Sequence, residues 1–203
     1  MQIDNQKILK MEKYYRANFI NSLSGFKSAS LIGTKDNQGN TNLALFSSVI
    51  HVGANPPLLG FLLRPNSVPR HTYNNIKETE FYTINHINYD IYKSAHITSA
   101  NFDEGISEFS KASLTEEYLD EFDAPFVKES KIKLGLKFIE EVELKANKTI
   151  FIVGEVKKVY LPENIIEDDG SIKIESAESC AISGLYSYHK TELLDKLEYA
   201  RPF

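Results

Sequence analysis

A chain of 203 residues and 23.1 kDa is one ordinary domain's worth of sequence. Hydrophobic residues at 42% and charged residues at 25% exclude a disordered or fibrous chain. With 23 Lys and Arg against 28 Asp and Glu, a net charge of -5 argues against nucleic acid or an anionic membrane surface as the main partner. The single cysteine, Cys180, allows no intrachain disulfide and no cysteine zinc cluster, and it fits a reducing cytoplasmic setting.

The first twenty residues mix Asp4, Lys7, Lys10, Glu12, Lys13 and Arg16 among apolar positions, unlike a secretory leader. Apolar residues at Ile8, Leu9, Met11, Tyr15, Phe19 and Ile20 predict a helix over 3–20. Ser28 to Thr34 reads as a strand, Asp36 to Asn40 as a turn, and Thr41 to Val52 as the return strand of a hairpin. Asn37 to Leu63 carries no Asp, Glu, Lys or Arg and is long enough to cross a bilayer. Pro56-Pro57 and the polar residues inside it favour buried strands instead. Leu58 to Leu63 is then a buried strand.

Ser67-Val68-Pro69 has the chemistry of a helix start, with the helix running from about Arg70 to Glu78. Glu80 to Asn85 is strand-like, Tyr89 to Ser99 helical, and a shorter helix lies within Glu104 to Leu114. Lys131 to Ala146 and Thr149 to Leu161 are long strands, the second buried on both faces where it starts. Ile172 and Ile174 begin another short strand, and a charged amphipathic tail runs from Thr191 to Tyr199. Six or seven strands and three or four short helices, without regular alternation, predict an antiparallel barrel, closed or split, rather than a doubly wound sheet. The chain is expected to form a single domain over 1–203.

Only four arginines are present, and Arg64 and Arg70 bracket a short, hydroxyl-rich segment at the expected helix start. A guanidinium fork and a helix N-terminus both suit phosphate oxygens. The alternative is a solvated loop whose arginines pair with surface carboxylates. Ser47 and Ser48 end an apolar run and need partners if buried. Those partners are either neighbouring backbone, the simpler reading, or a ligand phosphate. The five histidines (His51, His71, His86, His96 and His189) show no metal-ligand spacing, and no Gly-x-Ser-x-Gly elbow occurs. Cys180, among small residues, reads as buried rather than nucleophilic.

In order along the chain come Gly39, Asn42-Leu43-Ala44, Phe46-Ser47-Ser48, Pro56-Pro57-Leu58, Arg64, Arg70-His71-Thr72, Asn74-Asn75-Ile76 and Glu80-Phe81. This pattern resembles the flavin reductase-like, FMN-binding split-barrel family. Glu108-Phe109, Gly154-Glu155-Val156 and Gly184-Leu185-Tyr186 extend the resemblance over roughly residues 20 to 203. It implies an antiparallel split β-barrel that binds FMN. The phosphate would lie near Ser47, Ser48, Arg64, Arg70 and Thr72, with the ring facing the strand from Asn42 to Phe46. Ser67 and His71 complete the set of cofactor-binding candidates. Many members carry Asp where this chain has His71, which puts a transferred role for that position in doubt. The resemblance further implies hydride transfer from NADH or NADPH to flavin. The alternatives are a non-enzymatic FMN electron carrier or sensor, or a relative of pyridoxamine-phosphate oxidase. It also implies a homodimer, with residues 183–203 packing on the barrel or on the partner. Tyr186, Tyr188 and His189 are weaker candidates for a flavin edge.

Overall fold

The computed structural model describes residues 1–67, 70–102 and 105–202. The chain opens with two helices, α1 (Asn5–Lys10) and α2 (Lys13–Leu23), where the periodicity predicts one. They separate because Glu12 turns its carboxylate back onto the amides of Tyr14 and Tyr15, capping a new helix at 2.8 and 3.1 Å. β1 (Lys27–Ser28) and β2 (Ser30–Lys35) follow. The expected hairpin forms through Asp36, whose carboxylate accepts from Gln38 and Asn40, and the chain returns as β3 (Thr41–Phe46). The run predicted to continue to Val52 breaks at Ser47, and β4 (Ile50–Ala54) is a separate strand. β5 (Pro57–Leu63) starts at the second proline.

α3 (His71–Thr79) begins one residue later than predicted, and its cap position is Arg70 with no side-chain cap bond. Ser67 therefore does not cap it; it sits exposed in a turn, and Val68 and Pro69 lie outside the described residues. Then come β6 (Phe81–His86), α4 (Tyr92–Ile97), shorter than predicted, and α5 (Glu108–Lys111), inside the stretch where a short helix is expected. Glu104, the first residue of that stretch, lies outside the described residues. Two short strands, β7 (Glu116–Glu117) and β8 (Phe126–Val127), pair with each other. The two long strands are β9 (Lys133–Glu143) and β10 (Ile150–Tyr160). Ile172 forms only a single bridge, with Ile166, so no strand builds there. A hairpin of β11 (Ala181–Ser183) and β12 (Ser187–His189), unforeseen in the sequence, pairs with β1. The tail beyond it has no regular structure and is held by Lys196, whose ammonium contacts Glu167 at 2.6 Å and Asp169 at 2.8 Å.

Seven strands form one sheet in the order β3-β2-β6-β9-β10-β5-β4, every pair antiparallel. Its two edge strands, β3 and β4, are joined by only Ser47 to Val49, so the sheet must curl until its edges meet at that corner. Phe46, on one edge strand, accordingly meets Phe61, beside the other edge, with ring centroids 4.9 Å apart. Phe61 in turn packs edge-on against Tyr82 at 5.7 Å. Ile32, Leu63, Ile84, Leu136 and Ile152 fill the rest of the curl, and α3 adds Ile76. The result is a split antiparallel barrel. A second core on its outer side holds Leu31, Leu43, Ile91, Phe109 and Val127 beneath α4 and α5.

Inside the barrel the Tyr82 hydroxyl occupies the space where a Cβ on residue 154 would stand, so only glycine fits there. That hydroxyl has no hydrogen-bond partner, and burial drives its pKa well above the ordinary phenol value. His86, at the end of β6, is partly buried with Nδ1 3.1 Å from Ser179 Oγ, and desolvation pushes its pKa down to about 4.

Candidate functional site

Two side-chain tethers bring the predicted residues together. Buried Asn42, at the start of β3, donates through Nδ2 to Thr72 Oγ1 at 3.0 Å. This ties the first turn of α3 to the barrel, and Asn75 repeats the tie one turn later by donating to Thr34 at 3.1 Å. At the other end, Ser48 donates to the Leu62 carbonyl at 3.2 Å and accepts from the Leu62 amide at 3.0 Å. The segment from Arg64 to Arg70 is thus pinned at both ends against β3 and the loop that follows it. The bonds from Asn42 to Thr72 and from Ser48 to Leu62 join the two groups of predicted residues along one seam, whereas Ser67 lies in a hollow with Pro65, Tyr73 and Glu141, and Ser47 and Ser48 line another with Leu62 and Phe151.

The chemistry of the seam suits an anion. Arg64 is exposed. Arg70 turns Nε toward the Pro65 carbonyl at 3.4 Å, leaving its terminal guanidinium nitrogens available. Among the described residues every ion pair uses lysine, and neither arginine pairs with a described carboxylate. The alternative in which both arginines serve surface ion pairs is not what the structure displays. α3 has no acid in its first turn and no side-chain cap, so its leading N–H groups add positive potential beside the arginines. The donor set therefore has the chemistry to receive a phosphate group. Ser48 serves the fold: its one proton is committed to Leu62, while its neighbour Ser47 is half-buried in the same loop.

Glu108 is the residue that sequence reasoning left without a role. It is 7% exposed, and Oε2 accepts from the Leu43 amide at 2.9 Å. It thereby seals the free edge of β3 near its start, and Thr41 extends the seal with bonds to Ser107 and Glu116. Burial raises the Glu108 pKa, against the opposing pull of the amides of Leu43 and Glu108 and the charge of His71. Its carboxylate thus lies within electrostatic reach of the first residue of α3. Nothing in Ser-Glu-Phe-Ser distinguishes a buried glutamate from a surface one; only the fold reveals it.

The weaker candidates gather elsewhere, around β11 and β12. Tyr188 bonds His96 at 3.1 Å and its pKa is pushed up to about 12 by burial; His189 bonds Ser183 at 2.8 Å. Cys180 is buried and its thiol is pushed up to about 11, which suits packing rather than attack. Among the described residues no cluster of three or more His, Cys, Asp or Glu could hold a metal ion, and no helix is long and apolar enough to cross a membrane.

Comparison with known proteins agrees with this architecture. Residues 25–185 match the model of the flavin reductase like domain. A crystal structure from Shewanella frigidimarina NCIMB 400, assigned as a flavin reductase with split barrel domain, is 52% identical. It superimposes with a TM-score of 0.95 over 98% of this chain and 100% of its own. Nitrilotriacetate monooxygenase component B from Bacillus cereus shares the fold at 19% identity, with a TM-score of 0.84 over 97% of this chain and 98% of its own. Flavoredoxin of Desulfovibrio vulgaris shares it at 24% identity, with a TM-score of 0.73 over 85% and 91%. The split barrel, the seam and the family match converge: this chain belongs to the flavin reductase-like family.

Proposed function

We propose that the chain binds FMN in the seam between β3 and the 64–70 segment and acts as an oxidoreductase, passing hydride from NADH or NADPH to flavin. The observation that carries this reading is the double tether, Asn42 to Thr72 and Ser48 to Leu62. It flanks a segment bearing two arginines that, among the described residues, make no ion pair, and it leads into a helix start without a side-chain cap. Arg64, Arg70 and the first turn of α3 bind the phosphate; Thr72, fixed by Asn42, orients it. Phe46, packed on Phe61, supplies a dry wall at the barrel end of the seam. Bound flavin supplies the two-electron acceptor, so no protein nucleophile is needed. That matches a site built of donors and apolar walls, in a protein whose only thiol is buried. Cys180, reduced and enclosed, is in keeping with a cytoplasmic setting.

Rapid mixing of FMN-loaded protein with NADH, and separately with NADPH, tests the reading. Bleaching of the flavin absorbance by at least one nicotinamide, faster than in free FMN, is expected. Tight FMN binding without bleaching by either would replace the reductase with a one-site electron carrier. Absence of FMN binding would remove both.

A further inference from the structure

Beside the segment from Arg64 to Arg70 lies a hollow of about 540 Å³ that phosphate binding does not use. One wall comes from the end of β9 and the start of β10. Side chains alternate there: Val142 and Leu144 face the groove beside Phe151, whereas Glu141 and Glu143 face the hollow with Ile150, the cross-strand neighbour of Glu143. Pro65, Asn66 and Ser67, which lie between the two arginines in sequence, line a second wall, and Tyr73, near the start of α3, lines a third. The Tyr73 hydroxyl donates to Glu141 Oε1 at 3.1 Å, and the Lys77 ammonium lies 3.4 Å from Oε2, so Glu141 is held in place. Asn147 turns its side-chain oxygen to the Thr149 amide and hydroxyl at 3.1 and 2.6 Å, which leaves its Nδ2 as a donor for a ligand. Glu143 pairs with Lys148 at 2.8 Å, an exposed pair that a ligand can open at little cost.

We infer that this hollow is the subsite for the adenosine end of the nicotinamide donor, and that its carboxylates make the protein prefer NADH to NADPH. The inference rests on the flavin site proposed above. With the arginines and the start of α3 meeting the flavin's terminal phosphate, the hollow is left for a second nucleotide. A dinucleotide is longer than FMN, so with its nicotinamide over the flavin ring its adenosine reaches past the flavin phosphate. The hollow shares the segment from Arg64 to Arg70 with that phosphate. Pro65, Tyr73 and Ile150 give a purine apolar and aromatic walls, Asn66 and Asn147 offer amides to its edge, and the volume is that of a small-molecule site. NADH and NADPH differ only at the adenosine 2′ position. A hydroxyl there donates to a carboxylate, whereas a phosphate, with about -1.5 to -2 charges, is repelled by one. Two glutamates line the hollow against one lysine, itself paired with Glu143, and among the described residues no arginine lines it. That balance favours the hydroxyl.

Redox-inert fragments test the subsite without turnover. Calorimetry on the protein, with and without FMN, should show ADP-ribose binding about tenfold or more tighter than 2′-phospho-ADP-ribose. Glu143→Arg, at an exposed position, exchanges a carboxylate for a guanidinium and should reverse that order while circular dichroism stays unchanged. In FMN-loaded protein, ADP-ribose should slow bleaching by NADH competitively. Equal binding of the two fragments, or an order unmoved by Glu143→Arg, would overturn the inference and leave the flavin site standing. The expected fragment order without bleaching by either nicotinamide would uphold the subsite and remove only the hydride transfer. FAD binding about tenfold tighter than FMN, with the gain lost in Glu143→Arg, would give the hollow to the flavin's own adenosine and overturn its assignment to the donor.

Discussion

The inside of the barrel and the seam along its rim are built from the same strands under opposite rules. Inside, Phe61, Tyr82, Ile84 and Ile152 are fully enclosed among other apolar side chains. Along the seam, Asn42, Thr72, Arg64 and Arg70 are polar, and the bonds they make aim other groups rather than fill space. The difference teaches that stability and ligand recognition are carried by alternate residues of shared elements. β5 contributes Phe61 to the core and, three residues on, Arg64 to the rim. Substitutions should therefore separate the two properties almost completely.

The largest effect belongs to the core. Phe61→Ala removes the ring that joins Phe46 to Tyr82 and should cost about 3–5 kcal/mol of stability, read from the denaturant midpoint. A loss under 1 kcal/mol would mean that the sheet does not depend on that junction. At the rim the pattern should invert. Arg64→Ala and Arg70→Ala should each weaken FMN binding by about 1.5–3 kcal/mol. Riboflavin, lacking the phosphate, should lose much less, and apo stability should move by no more than about 0.5 kcal/mol. Equal losses for both flavins would break the assignment of the seam to phosphate.

His86 tests the interior through pH. Its pKa is lowered in the fold, so the unfolded chain binds the extra proton between about pH 6.5 and about pH 4. Stability is therefore full above the unfolded value and is lost as pH falls through that window. The loss should be on the order of 2 kcal/mol, less than full linkage because the ring keeps some solvent contact. His86→Gln should flatten this part of the stability profile; an unchanged slope would assign the acid lability to other groups. The smallest effect is the one shared by both regions. Asn42→Ala removes the tether to Thr72 and should cost about 1 kcal/mol of stability. FMN affinity should fall with it, so a change in only one of the two measurements would show that the tether serves one region alone.

The sequence told most about the strands whose packing is strongest. β9 and β10 were legible because apolar residues such as Leu134, Leu136, Phe138, Ile150, Ile152 and Val153 recur through two eleven-residue runs without proline. The β2–β3 hairpin was legible because Asp36, Asn37 and Gly39 spell a turn. The N-terminal helix was misjudged in length because apolar spacing ignores a cap: one carboxylate, Glu12, divides it. Arg70 rather than Ser67 begins α3 because the tether from Asn42 fixes where the first turn sits, and that contact spans thirty residues of sequence. β11 and β12 are three residues each and owe their pairing to β1, which no local pattern can report. Of the site, the arginines and the serine pair were visible as oddities of composition. Glu108 was not, because its burial depends on α5 folding over the edge of β3.

The partnerless hydroxyl of Tyr82 has a spectroscopic consequence. The chain has no tryptophan and eleven tyrosines, so the near-ultraviolet absorbance of the flavin-free protein is dominated by phenols. Tyr82 is held neutral against Gly154 and can lose its proton only when the barrel parts. The slow remainder of the phenolate signal after an alkaline jump is thus a built-in clock for barrel opening, present without any added label.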